Sequence, residues 1–271
     1  SVPLHLCRQI RLFYFLILIK TYMSHIEKCS HLSQHIYSVI FGAKRSTDTL
    51  NIDSMKYKVL YEGSNVMDLQ TIIYEETNKN RLFVVFRGSE SVRDWLVDMF
   101  AVKTSIGVSP QITAHKGVAM QLSAGTVCED IKKTIVNYGT KDTEVFFTGH
   151  SLGGALAIIA PPMIFGNATK RKIQVVTFGA PRCVNSSEYK TYMKSTGTTV
   201  KEFRYKHDPI TLLPLFRYGH IGDQFEFGKC WKKRNTGHIS FFGRISSLLR
   251  CSVRDHYMSN YSENWSPRDM Y

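Results

Sequence analysis

The sequence predicts an α/β fold, with a predominantly parallel central sheet flanked by helices. Strand-length apolar runs alternate with longer stretches of helical spacing, and the runs read as buried on both faces. The length of 271 residues, with no internal repeat, low-complexity tract or Gly/Pro/Ser-rich linker, suits one large core. Two regions are expected: a hydrophobic and basic N-terminal extension over 1–22 and one domain over 23–271.

Taken in order, residues 24–43 have helical spacing and end at a glycine. Strand-like runs follow near 57–63, 69–76 and 81–88. Segment 91–100, "SVRDWLVDMF", is amphipathic and helical, and 118–138 reads as one long helix. A strand over 144–148 leads to a helix beginning after Ser151 and stopped by Pro161 and Pro162. The strand 173–181, a helix near 186–195 and the strand 199–205 complete the pattern.

The motif "GHSLGG" (149–154) lies where the strand 144–148 meets the following helix. Glycines there fit a tight turn, and a serine fits a helix cap. The same serine at the apex of a strand-to-helix turn would instead be thrust out toward a base and a substrate carbonyl. Small residues after it, "LGGALAIIA", let the helix pass close to the strand. An α/β-hydrolase-like arrangement follows, with Ser151 as nucleophile.

A serine hydroxyl needs a base to take its proton and an acid to orient that base, in the chain order Ser, Asp or Glu, His. Asp208 ends the strand "KEFRYKHD" and is the favoured acid, with Asp223 and Asp255 as alternatives. His256 is the favoured base, with His220 and His238 open, whereas His207 is a poor partner for its sequence neighbour Asp208. For the oxyanion, the backbone N–H of Leu152 is one donor. Ser89, after Gly88 in "FRGSES", is the second.

The blocks "VVFRGSESVRDWLVDM", "AHKGV", "FFTGHSLGGALA", "TFGAPR", "KHDPITLLP" and "DHYMSNY" resemble, in order, those of the class 3, fungal-type lipase family. The resemblance runs from about 70 to 262. It implies an α/β-hydrolase cleaving acylglycerol or phospholipid esters, with Ser151, Asp208 and His256 as triad and Ser89 and Leu152 at the oxyanion hole. It chiefly strengthens His256. It also implies a mobile lid, on which Val92, Trp95, Leu96 and Met99 form one apolar face at i, i+3, i+4, i+7 spacing.

Segment 228–251 departs from the family pattern. It is flanked by Cys230 and Cys251, whose disulfide would brace the His256 loop in an oxidising compartment. The six cysteines lack metal-ligand spacing, and neither a metal nor a cofactor is expected. Asn167, Asn185, Asn260 and Asn264 each head an N-x-S/T sequon.

The formal charge is +13, and residues 229–254 and 1–20 carry ten basic residues and no acid. Such clusters suit an anionic lipid surface or a merely solvated face, and nothing matches a nucleic-acid module. The apolar run 12–19 is too short to span a bilayer and suits a secretory h-region, an interfacial anchor or a buried helix. The expected protein is therefore a secreted or membrane-associated serine esterase acting on acyl-lipids at a membrane or droplet interface. A non-catalytic lipase-like binding module and an esterase for soluble esters are the rivals.

Overall fold

The structure, a computed structural model, describes residues 25–41, 49–52, 55–89, 102–107, 111–166, 170–214, 218–227, 231–233 and 253–263. The extension 1–22, the expected lid positions Val92, Trp95, Leu96 and Met99, His238, and both Cys230 and Cys251 lie outside them.

Helix α1 (residues 25–35) continues into a 3-10 turn, Ile36–Ser38. Strands β1 (Thr49–Ile52), β2 (Met55–Ser64), β3 (Gln70–Glu76) and β4 (Arg81–Phe86) follow, then the pair β5 (Lys103–Ile106) and β6 (Ile112–His115). Next come α2 (Lys116–Ser123), α3 (Val127–Tyr138), β7 (Glu144–His150), α4 (Leu152–Phe165), β8 (Lys172–Phe178), α5 (Ser186–Thr196) and β9 (Thr199–Tyr205). Strands β10 (Asp223–Phe227) and β11 (Trp231–Lys233), a 3-10 turn Val253–His256 and helix α6 (Met258–Glu263) close the described chain.

The main sheet runs β1-β2-β3-β4-β7-β8-β9-β10-β11. Its centre, from β4 to β10, is parallel, and antiparallel pairs flank it on both sides. The period-two alternation of the strands feeds two cores, one on each face. Leu82, Val84 and Phe86 of β4 join Val145 and Phe147 of β7 under α2, α3, α4 and α5. Phe83, Val85 and Phe146 face the other way, onto Ile26, Cys29 and Leu32 of the first helix, Ile36 of the turn after it, and Met258 and Tyr261 of α6. Burial on both faces is why these strands read as unbroken apolar runs.

Helix α1 traverses the second face from the strand starts to the strand ends. Near its beginning Lys28 Nζ lies 2.6 Å from Glu76 Oε1. Toward its end Ser33 Oγ and Thr148 Oγ1 are 3.1 Å apart. These contacts deliver the turn carrying Tyr37 to the carboxyl end of β7.

Three sequence expectations need correction. The helix expected over 118–138 is two helices, broken at Gly125 with φ 67°. Asn65 stabilises the break, since its Nδ2 donates to the carbonyls of Gln121 and Ala124 at 2.7 and 3.0 Å, satisfying helix-end acceptors. Helix α4 is not stopped by Pro161 and Pro162 but continues to Phe165. Pro162 cannot donate to the carbonyl of Ile158, and the Tyr189 hydroxyl takes over that role at 2.5 Å. Finally β1, β5, β6, β10 and β11 were unexpected; they are short or rich in polar residues, such as "DQFEF" in β10.

Among the described residues, Cys29, Cys128 and Cys183 are free thiols, and no helix is long and apolar enough to cross a membrane. The Asn185 side chain caps α5, accepting from the N–H groups of Ser187 and Glu188.

Candidate active site

Strand β7 ends in an abrupt elbow. Ser151 has φ 57° and ψ −126°, a conformation that costs a residue with a side chain and persists only where neighbours enforce it. Its N–H donates to Phe178 O at 3.0 Å, and its carbonyl accepts from Gly154 and Ala155 at 3.0 and 3.2 Å. Gly153 has no room for a side chain, since a Cβ there would strike the carbonyl oxygen of Phe86. Gly153 is thus explained by the closeness of α4 to β4, and Gly154 by its closeness to the β8 side, where a Cβ would fall 2.7 Å from Ala180 Cβ.

The expected base and acid meet beside the ends of β8 and β9. His256 Nδ1 lies 2.8 Å from Asp208 Oδ2, and both residues are buried. Asp208 Oδ1 accepts from the N–H of Ile210 at 2.9 Å. The Tyr261 hydroxyl donates to Oδ2 at 2.5 Å while accepting from the N–H of Tyr205 at 3.0 Å. Burial, reinforced by the charge of Asp208, pushes the Tyr261 phenol well above its ordinary value, so it remains a donor. With Nδ1–H directed at the carboxylate, the lone pair of His256 is left on Nε2.

The end of β8 joins the two halves of the site. Phe178 holds the elbow, and Gly179, with φ 60°, is the next residue. A Cβ on Gly179 would fall 2.7 Å from Asp208 Oδ2 and 3.1 Å from His256 Nδ1. Ser151 Oγ and His256 Nε2 are both buried and have no hydrogen-bond partner among the described residues. The serine–imidazole hydrogen bond is therefore open here. Such contacts are commonly long before substrate binds and tighten in the reacting complex.

The expected oxyanion residues flank the elbow. Leu152 opens α4, so its N–H has no acceptor within the helix. Gly88 brings the chain before half-buried Ser89 against the serine, for a Cβ on Gly88 would sit 3.3 Å from Ser151 Cβ and 2.6 Å from His150 O. The alternatives are otherwise engaged. His220 Nδ1 pairs with Glu202 at 3.0 Å, Asp223 with Lys233 at 2.8 Å, and Asp255 Oδ2 accepts from the N–H of His207 at 3.4 Å. No group of His, Cys, Asp or Glu among the described residues could hold a metal ion.

The sequence model of the family described as Lipase (class 3) matches residues 83–218, half of the chain and the span holding the elbow and the acid. The chain belongs to the class 3 lipase family. It is 26% identical over 197 residues to a lipase of Rhizomucor miehei, covering 69% of this chain and 53% of that protein. It is 24% identical over 191 residues to phospholipase A1-Igamma2, chloroplastic, of Arabidopsis thaliana, covering 58% of this chain and 36% of that one. This class 3 lipase chain thus spans about half the length, or less, of these curated relatives. Among solved structures, the Rhizomucor miehei lipase–propeptide complex superposes with a TM-score of 0.70 at 22% identity, covering 90% of this chain and 82% of that one. With the parallel centre of the sheet, the likeness gives the α/β-hydrolase fold.

Sequence reasoning on this class 3 lipase chain missed three residues at the site: Tyr261, His150 and Tyr37. Tyr261 stood within the "DHYMSNY" block, and His150 stood beside the nucleophile, so both had a positional signal. Tyr37 lies more than a hundred residues before Ser151, and no local pattern marks it.

Proposed function

We propose that the protein hydrolyses carboxylic esters of acyl-lipids through an acyl-enzyme on Ser151. The observation that carries this reading is the buried Asp208–His256 pair packed on Gly179, next to the strained elbow of Ser151. Ser151 Oγ attacks the ester carbonyl as its proton passes to His256 Nε2. The N–H groups of Leu152 and Ser89 face the oxyanion, each worth about 3 kcal/mol of transition-state stabilisation. Collapse returns the proton to the leaving alcohol, and a water molecule, deprotonated by the same imidazole, frees the fatty acid. Asp208 holds the imidazole and balances its transient charge. No cofactor enters this scheme.

The relatives' names support lipid esters as substrates, one a lipase and one a phospholipase A1. The +13 charge favours an anionic phospholipid surface over neutral triacylglycerol. In this reading Val92, Trp95, Leu96 and Met99 form a lid that turns its apolar face onto the lipid. The test is hydrolysis of a short-chain triacylglycerol or phospholipid titrated through its aggregation point, with and without anionic lipid at low salt. Activity should rise abruptly at aggregation, and anionic vesicles should bind more protein than neutral ones. A smooth saturation curve removes the lid, and equal binding removes the anionic preference.

A further inference from the structure

We propose that Tyr37 and His150 are positioning residues that hold the catalytic imidazole of His256 from its backbone side, an inference that rests on His256 being the base. Asp208 fixes the tilt of the His256 ring, but the ring's placement also depends on its backbone, in a short 3-10 turn. The carbonyl of His256 receives His150 Nε2 at 2.6 Å. A carbonyl can only accept, so Nε2 of His150 carries the proton. Burial, then the proximity of His256, hold His150 well below its ordinary value, and the ring is neutral. A neutral imidazole has one N–H, so Nδ1 is an acceptor, and the Tyr37 hydroxyl 2.9 Å away donates to it.

The direction of the relay is therefore fixed: Tyr37 O–H to His150 Nδ1, then His150 Nε2–H to the His256 carbonyl. The two imidazole rings lie with centroids 4.5 Å apart. When His256 takes the serine proton, a positive charge arises against His150. A neutral neighbour tolerates that charge, whereas a second cation would oppose it. Tyr37 suits the task because α1 is anchored along the sheet face at both ends, by Lys28 on Glu76 and by Ser33 on Thr148. The pair thus ties the 3-10 turn of His256 to the first helix and to the elbow itself. The Tyr37 hydroxyl also occupies the space that a Cβ on Gly88 would need, and this closeness to the expected oxyanion loop offers a rival route for any effect of the residue.

A double-mutant cycle separates these routes. Tyr37→Phe removes one oxygen and should lower kcat for a soluble nitrophenyl ester roughly tenfold, with KM within about twofold and Tm little changed. His150→Gln keeps a donor for the His256 carbonyl but lacks the Nδ1 acceptor. It should match Tyr37→Phe, and adding Tyr37→Phe to it should change kcat no further. His150→Phe, which loses both bonds, should fall below either. Wild-type kcat in Tyr37→Phe overturns the proposal, as does an equal factor in both backgrounds, which would route the effect through Gly88. Ser151→Ala and His256→Ala are run alongside. If either keeps its activity, the catalytic reading fails and the proposal with it. If both are inactive and Tyr37→Phe is unaffected, only the positioning proposal fails.

Discussion

Ser151→Ala is expected to lower kcat for ester hydrolysis by about 10,000-fold to a million-fold while leaving the folded state intact. The asymmetry follows from the geometry. Ser151 Oγ has no hydrogen-bond partner among the described residues, so its removal breaks no bond within them. The elbow is held by backbone groups, the N–H on Phe178 O and the carbonyl on Gly154 and Ala155, all of which alanine retains. Alanine suffers the same strain at φ 57° as serine. What disappears is the attacking atom, leaving only the oxyanion donors and substrate binding to assist water. Nitrophenyl ester turnover beside a calorimetric melt checks both halves. Loss of activity with a collapsed Tm would instead make the serine structural.

Asp208→Asn should reduce kcat by about 10,000-fold, again with the fold preserved. The side chain is isosteric, and its orientation is decided by three neighbours. Ile210 N–H needs an oxygen at the Oδ1 position, 2.9 Å away. The amide NH2 then occupies the Oδ2 position, where it faces His256 Nδ1 and the Tyr261 hydroxyl. Tyr261 can rotate its proton away and accept. The imidazole can only move its proton to Nε2, which blocks the nitrogen required to deprotonate Ser151. Flipping the amide would spare the imidazole but set NH2 against the N–H of Ile210, in a site with no exposure to water to relieve it. Activity within tenfold of wild type would show that Asp208 does not orient the base.

The sequence made legible what is locally encoded. The strands on either side of Ser151 were readable because burial on both faces leaves continuous apolar runs, and the elbow because only glycine fits beneath β4 and α4. Asp208 was readable as the candidate acid from the strand before it, although that strand, β9, stops at Tyr205 and a two-residue turn separates the two. Elements whose stability comes from tertiary partners were not readable. Helix α4 runs through two prolines because Tyr189, on another helix, supplies a lost donor. The single helix expected over 118–138 is divided by Asn65, which lies on the loop after β2. Strand β10 is paired along β9 despite its polar residues, and Glu202 within β9 accepts from His220 and from the N–H groups of Ile221 and Gly222. Burial alone would raise the Glu202 carboxyl, but His220 and those two donors overcome it and hold the group below its ordinary value. The ordering around His256 follows the same rule. Choosing among three histidines from sequence needed the family resemblance, because the contacts of His256 come from the end of β7, the residue after β8 and the loop after β9.

The most direct test of the central claim is covalent. A fluorophosphonate probe phosphonylates only a serine whose hydroxyl is activated by a base and whose phosphoryl oxygen can occupy an oxyanion hole. Intact-mass and peptide mapping after labelling should find one adduct, on Ser151, formed quickly in the wild type and lost in His256→Ala. An adduct on another residue, or no adduct from a protein that hydrolyses esters, would contradict the account.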